Sequence, residues 1–122
     1  MANAINWFES PAKDLDRACN FYSSVLSGDI HQEEILGLRM GFLPHGQQEV
    51  GGALVEGEGY VPSESGPLVY LNGGIDLAEP LSRVEKAGGA VVLPKTKISD
   101  EIGYMAIIKD SEGNKIAFHS PQ

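Results

Sequence analysis

The sequence predicts an α+β fold built from two copies of a βαβββ unit. Three observations carry this reading. Hydrophobic alternation and helical spacing, read between glycine and proline breaks, give the order β-α-β-β-β and then the same order again. Both helix candidates stop at glycine, one at Ser27-Gly28 and the other at Gly88-Gly89. The halves also share residues at an offset of 60: Leu15 with Ile75, Asp16 with Asp76, Ala18 with Ala78, Phe21 with Leu81 and Gly28 with Gly88. A unit with one helix leaves one sheet face bare. Two units therefore bury those faces against each other or curl together around a cavity.

The first strand is predicted over Ile5 to Glu9, with Ile5, Trp7 and Glu9 on one face and Asn6 and Phe8 on the other. Asp14 then caps a helix that runs to about Leu26. Leu15, Ala18, Cys19, Tyr22, Val25 and Leu26 form its apolar stripe. Cys19 lies in that stripe and reads as a small buried hydrophobe, because no basic or histidine neighbour stands at helical spacing. Strands follow at Asp29 to Ile35, Leu38 to Leu43 and Glu49 to Val55. His31 falls on a charged strand and His45 in a turn, and both read as solvated. Gly57 to Gly66 lacks periodicity and reads as a linker or a flexible flap.

The second unit opens with a strand at Leu68 to Asn72. Asp76 and Glu79 have capping-box spacing, and Pro80 falls in the first helical turn, where its missing N–H costs little. Strands are predicted at Ala90 to Leu93, Tyr104 to Lys109 and Lys115 to Ser120. Pro94 to Gly103 reads as a polar loop long enough to bend over a site. In the turn Asp110 to Asn114, Gly113 supplies a positive φ. Beyond it, Ile116 and Phe118 point one way and Ala117 and His119 the other. A small residue and a histidine on one face suggest a cavity wall; the plainer alternative is a half-buried strand with His119 exposed.

At 122 residues the chain is the size of one domain, and its charge of −8 argues against nucleic acid or an anionic membrane as partner. With a single cysteine it has no intrachain disulfide, which fits a reducing compartment. No signal peptide is visible at the N-terminus, and no apolar run approaches the ~20 residues needed to cross a bilayer. The expectation is a soluble cytoplasmic protein.

Particular residues carry a family likeness: Trp7-Phe8-Glu9, Asp14-Leu15-Asp16-Arg17-Ala18 with Phe21-Tyr22 and Val25-Leu26, Val84 to Gly89, Ile102-Gly103-Tyr104, and Asp110 to His119. In these the chain resembles the glyoxalase, bleomycin-resistance and ring-cleaving dioxygenase superfamily, the vicinal oxygen chelate fold. The resemblance implies one domain over 1–122, with module one at about 4–56, a linker at 57–66 and module two at about 67–121. It also implies antiparallel-rich sheets curled around a cleft, a homodimer, and in many members a divalent metal held by His and Glu from the first and last strands of each module.

Aligned through Asp14-Leu15, the ligand positions fall at Trp7, among Gly51, Gly52 and Ala53, at Leu68, and at Ala117. None offers a metal donor, whereas a divalent site needs three or four. No metal ligand and no cofactor is therefore predicted, although an atypical divalent metal stays open. Glu9, His119 and Tyr70 each lie two residues beyond a lost ligand position, so strand parity keeps them on the same face. The first functional expectation is a metal-free cleft that binds a small, partly aromatic or apolar molecule, with Trp7, Tyr70, Leu68 and Ala117 in contact with it. The alternative is a lyase- or isomerase-type enzyme in which Glu9 and His119 do acid/base work, or hold an atypical metal. In a third reading the cleft is vestigial and the dimer surface carries the function.

Overall fold

The computed structural model describes residues 3–122. Two four-stranded mixed sheets are each backed by one helix. The first sheet contains β1 (Trp7–Pro11), β2 (His31–Ile35), β3 (Leu38–Phe42) and β4 (Gly51–Glu56) in the order β1-β4-β3-β2. Helix α1 (Leu15–Leu26) joins β1 to β2. The second sheet contains β5 (Tyr70–Asn72), β6 (Ala90–Ser99), β7 (Gly103–Lys109) and β8 (Lys115–Ser120) in the order β5-β8-β7-β6, and α2 (Ala78–Val84) joins β5 to β6. In each sheet the first strand pairs parallel with the last and the other pairs are antiparallel. The predicted α+β architecture of two βαβββ units is therefore the observed one.

Helix α1 begins where its chemistry puts it. Asp14 is extended, and its carboxylate accepts from the Arg17 N–H at 3.2 Å. The left-handed residue at the other end is Ser27, with φ of 53°, and not the glycine beside it. Leu15, Ala18, Phe21, Tyr22 and Val25 are buried, and they share one core with Leu54 of the first sheet and Ile108, Ile116 and Phe118 of the second. Thus α1 packs into a core shared by both sheets and ties the units together. It sits close on β3, because a Cβ at Gly41 would lie 2.5 Å from the Cys19 Sγ. Cys19 is buried as expected, and burial, with Asp16 nearby, pushes its thiol up to about 11. Its alkylation by iodoacetamide at pH 8 is expected to run about a hundredfold slower than that of a free thiol, and unfolding in urea should abolish the difference.

Several boundaries differ from expectation for identifiable reasons. Strand β1 starts at Trp7 and runs on to Pro11, and β5 starts at Tyr70, so Leu68 lies before the strand. Residues 94–99 belong to β6 and do not form a loop; only Asp100 to Ile102 turn the chain into β7. Pro94 is tolerated because β6 is an edge strand whose register shifts on either side of Leu93. At α2, the Asp76 carboxylate accepts from the Ala78 N–H, but no return bond from Glu79 completes the box. The connection between strand and helix is also two residues longer here than before α1. The buried helix residues Leu15, Ala18 and Tyr22 therefore correspond to Leu77, Pro80 and Val84, whereas Ile75, the match at an offset of 60, is exposed.

Candidate functional site

Each sheet has one face against the helices and one without. Phe8 and Leu54 belong to the helix-side core. Register places Trp7, Glu9, Phe42 and His31 on the opposite face, around Gly51 and Ala53. An added Cβ at Gly52 would collide with the Phe8 ring, and one at Gly51 with the His45 ring. Those two rings therefore lie on opposite faces of β4, and His45 joins Trp7 on the helix-free side. The Trp7 and Phe42 ring centres are 6.0 Å apart, and His31 stacks on Phe42 at 6.3 Å with an interplanar angle of 19°. The result is a row of aromatic rings along small residues, with Trp7 42% exposed.

On the second sheet the helix-free face carries Tyr70, Asn72, Ala117, His119, Met105 and Ile107. Ala117 is fully buried and forms the floor, as β8 alternation requires; His119 is half-buried. The His119 Nε2–H donates to the Ile102 carbonyl at 2.6 Å, a tautomer that leaves Nδ1 with a lone pair. Glu9 accepts from the Tyr60 hydroxyl at 2.7 Å. Among the described residues no hydrogen bond or ion pair joins Glu9 to His119. Glu9 and His119 each hold a different group, and neither orients the other.

Tyr60 comes from the segment read as a linker or flap, residues 57–66. That segment is tied down. Besides Tyr60 on Glu9, the Ser63 N–H donates to the Asn114 side-chain oxygen at 3.0 Å, and Glu64 pairs with Lys109 at 3.3 Å. Glu9 lies on the helix-free face of the first sheet and Lys109 on that of the second. Four residues of chain reach at most ~14 Å, so this short stretch links residues on the helix-free faces of both sheets. Glu9 also acts on Tyr60, whose phenol is raised by this hydrogen bond.

A groove of about 930 Å³ lies at the junction of the units, between the start of β1, strand β5, the end of α1 and the start of α2. Leu68 and Tyr70 line it; Trp7, Glu9, Ala117 and His119 do not. Sequence reasoning missed Phe42, His45 and Tyr60. Parity could have found Phe42, since it follows Leu38 and Met40 at a period of two, but nothing local marks a turn histidine or a linker tyrosine as facing a sheet.

The positions at which the resemblance implies a metal present an indole at Trp7, two glycines and a methyl on β4, an isobutyl at Leu68 and a methyl at Ala117. That donor set does not fit a divalent ion. Among the described residues there is no group of three or more His, Cys, Asp and Glu arranged to hold one.

Comparison with known proteins places the chain. The family model described as Glyoxalase/Bleomycin resistance protein/Dioxygenase superfamily matches residues 4–118. A glyoxalase/bleomycin resistance protein from Albidiferax ferrireducens T118 is similar in structure, with a TM-score of 0.75 and 16% identity over 95% of this chain and 97% of that one. Its counterpart from Streptomyces sp. CB03234 gives 0.71 and 24%, over 93% and 97%. The E144Q glyoxalase I mutant from Zea mays gives 0.74 and 13%, over 96% of this chain but 44% of that one. This chain thus spans less than half of the maize protein. No curated protein matches the sequence.

Proposed function

The chain belongs to the Glyoxalase/Bleomycin resistance protein/Dioxygenase superfamily, and from that premise we propose that it binds a small, planar, partly apolar molecule on its helix-free face. The observation that carries this is the ring row of Trp7, Phe42 and His31 beside Gly51 and Ala53. Rings along a small-residue floor favour a flat apolar body, and the few polar groups at the edges, Glu9 with Tyr60 and His119, would orient it. Ala117 leaves room on the second sheet, and Tyr70 and Leu68 would close the β5 side. Binding needs no ion at the family's ligand positions, where no donors stand. The same reading has the protein acting as a homodimer in the cytoplasm; sedimentation velocity checks the first part. No helix among the described residues is long and apolar enough to cross a membrane.

Trp7 is the only tryptophan, so the test is direct. Titration of a panel of planar aromatic compounds is expected to shift or quench its emission saturably. Trp7→Ala should weaken binding of the best compound about tenfold or more by calorimetry, since buried aromatic anchors dominate such contacts. If Trp7→Ala and Phe42→Ala both leave that affinity unchanged, the ligand sits elsewhere.

One observation favours a second reading. His119 is oriented by the Ile102 carbonyl, and its free Nδ1 could accept a proton from a bound substrate. This is the lyase- or isomerase-type alternative, with His119 as base and Glu9, already bonded to Tyr60, as a polar contact. Turnover lost in His119→Ala, with ligand affinity retained, would support it over binding alone.

A further inference from the structure

The two units are related by an approximate repeat, and so are the two junctions where they meet. Each unit leaves its first strand the same way: the Ala12 N–H donates to the Val55 carbonyl in the first and the Gly73 N–H to the His119 carbonyl in the second, and a junction follows each. The first is filled. Tyr22 is buried there against Asp110, and Glu112 and Asn114 of the β7–β8 turn bond to Lys13, Asp14 and the Pro11 carbonyl. At the second junction Val84 stands where Tyr22 stands in the first. The corresponding turn between β3 and β4, Leu43 to Val50, makes no hydrogen bond to residues 73–76 among the described residues. The groove of about 930 Å³ lies instead between Leu43, Pro44 and Val50 of that turn and Gly73 and Gly74, with a volume within the usual range for a small-molecule pocket.

Its walls are apolar: Phe8, Leu26, Pro44, Val69 and Leu71 among them. The cation in the wall is Arg83, half-buried on α2. Its Nε and Nη2 both donate to the Val25 carbonyl, at 3.2 and 3.0 Å, which fixes the guanidinium at the end of α1. No carboxylate among the described residues lies within ion-pair distance of it. Glu79 also lines the groove, one turn earlier on α2, but it is exposed, where water and salt screen its charge. A fixed guanidinium with unused donors at an apolar wall matches a carboxylate or sulfonate carried on a hydrocarbon body.

We propose that this junction groove binds an amphipathic organic anion, its apolar body between the units and its anionic group on Arg83. The groove shares Gly51, Leu68 and Tyr70 with the edge of the ring-row site, but Trp7, Phe42 and His31 do not line it, so Trp7 and Arg83 variants test the two readings separately.

Octanoate and octanol, which share a chain and differ in charge, are the probes for calorimetry on the intact protein. Octanoate is expected to bind at one site per chain, and octanol about tenfold more weakly. Arg83→Met should remove that preference by weakening octanoate alone, and Arg83→Lys should restore part of it. Val50→Trp, at the exposed rim, should weaken both ligands, while Trp7→Ala should weaken neither. Melting curves establish that each variant is folded. The proposal is overturned if octanoate shows no saturable binding, if octanol binds as well as octanoate, if Arg83→Met and Arg83→Lys both leave octanoate affinity unchanged, or if Trp7→Ala abolishes it.

Discussion

Asp110→Ala is expected to lower the unfolding free energy by about 3–4 kcal/mol, which makes it among the most damaging single changes in this chain. Asp110 is buried, yet four donors converge on its carboxylate. Oδ1 accepts from the Glu112 and Asn114 N–H groups at 2.9 Å each, and Oδ2 from the Tyr22 hydroxyl at 2.6 Å and the Asn114 side chain at 3.2 Å. Removing the acceptor orphans a phenol that is itself buried and loosens the turn that closes the first junction. Tyr22→Phe removes one donor and leaves the carboxylate three others, so it should cost only about 1–2 kcal/mol. Urea denaturation of both variants and the double variant gives the coupling; additive losses would mean that the hydroxyl and the carboxylate do not act as a pair. The same contact makes the fold sensitive to alkali. Burial, and then Asp110, raise the Tyr22 phenol well above its usual range. The unfolded chain therefore ionises first, and stability present below about pH 10 is lost as the pH climbs beyond it.

The architecture was legible because period and punctuation agree throughout. The α1 stripe, the alternation of β8 and the glycines after both helices report local geometry, and local geometry decides those elements. Failures fell where tertiary context overrules the local signal. Pro94 looks like a strand terminator, yet an edge strand has no partner that needs its N–H on that side. Asp76 and Glu79 have capping-box spacing, yet Asp76 also serves Lys95 at 2.9 Å, and that pair with the Ala78 N–H holds its carboxyl low. The repeat was visible in sequence, but a two-residue difference in loop length hid its correct register until burial revealed it.

For the candidate site, parity was enough to put Glu9 with Trp7 and His119 with Ala117, because side chains alternate along any strand. What parity cannot supply is distance across the molecule. Joint acid/base work by Glu9 and His119 would need contact as well as shared faces, and each residue instead bonds to a group from a turn or linker, Tyr60 or the Ile102 carbonyl. Such segments carry no periodicity, so the residues they bring to a face are the ones a sequence hides.

Glu112, two residues further along the same turn, also joins the units, and Glu112→Ala is expected to cost about 2–3 kcal/mol. Its side chain is 1% exposed, while Arg17 is half in solvent. One carboxylate oxygen accepts from the Lys13 and Asp14 N–H groups at 2.8 and 2.7 Å, just ahead of α1, and the Arg17 guanidinium adds bonds at 2.7 and 3.1 Å. The residue thus satisfies backbone donors before the first turn of a helix in the other unit and sits in the favourable field of that helix end. Burial alone would raise its pKa, but the Arg17 bond and the N–H donors outweigh burial and hold it below the usual carboxylate range. With a folded pKa below the unfolded one, its contribution is complete above about pH 4.3 and is lost as the pH falls through the depressed folded value. Melting temperatures of the native chain and of Glu112→Gln, followed from pH 7 down to pH 3, read this directly. The native chain should fall more steeply than the variant below pH 4.3, so that their curves converge. Parallel curves over the whole range would mean that the junction does not depend on the charge of Glu112, and that shape alone holds the β7–β8 turn against α1.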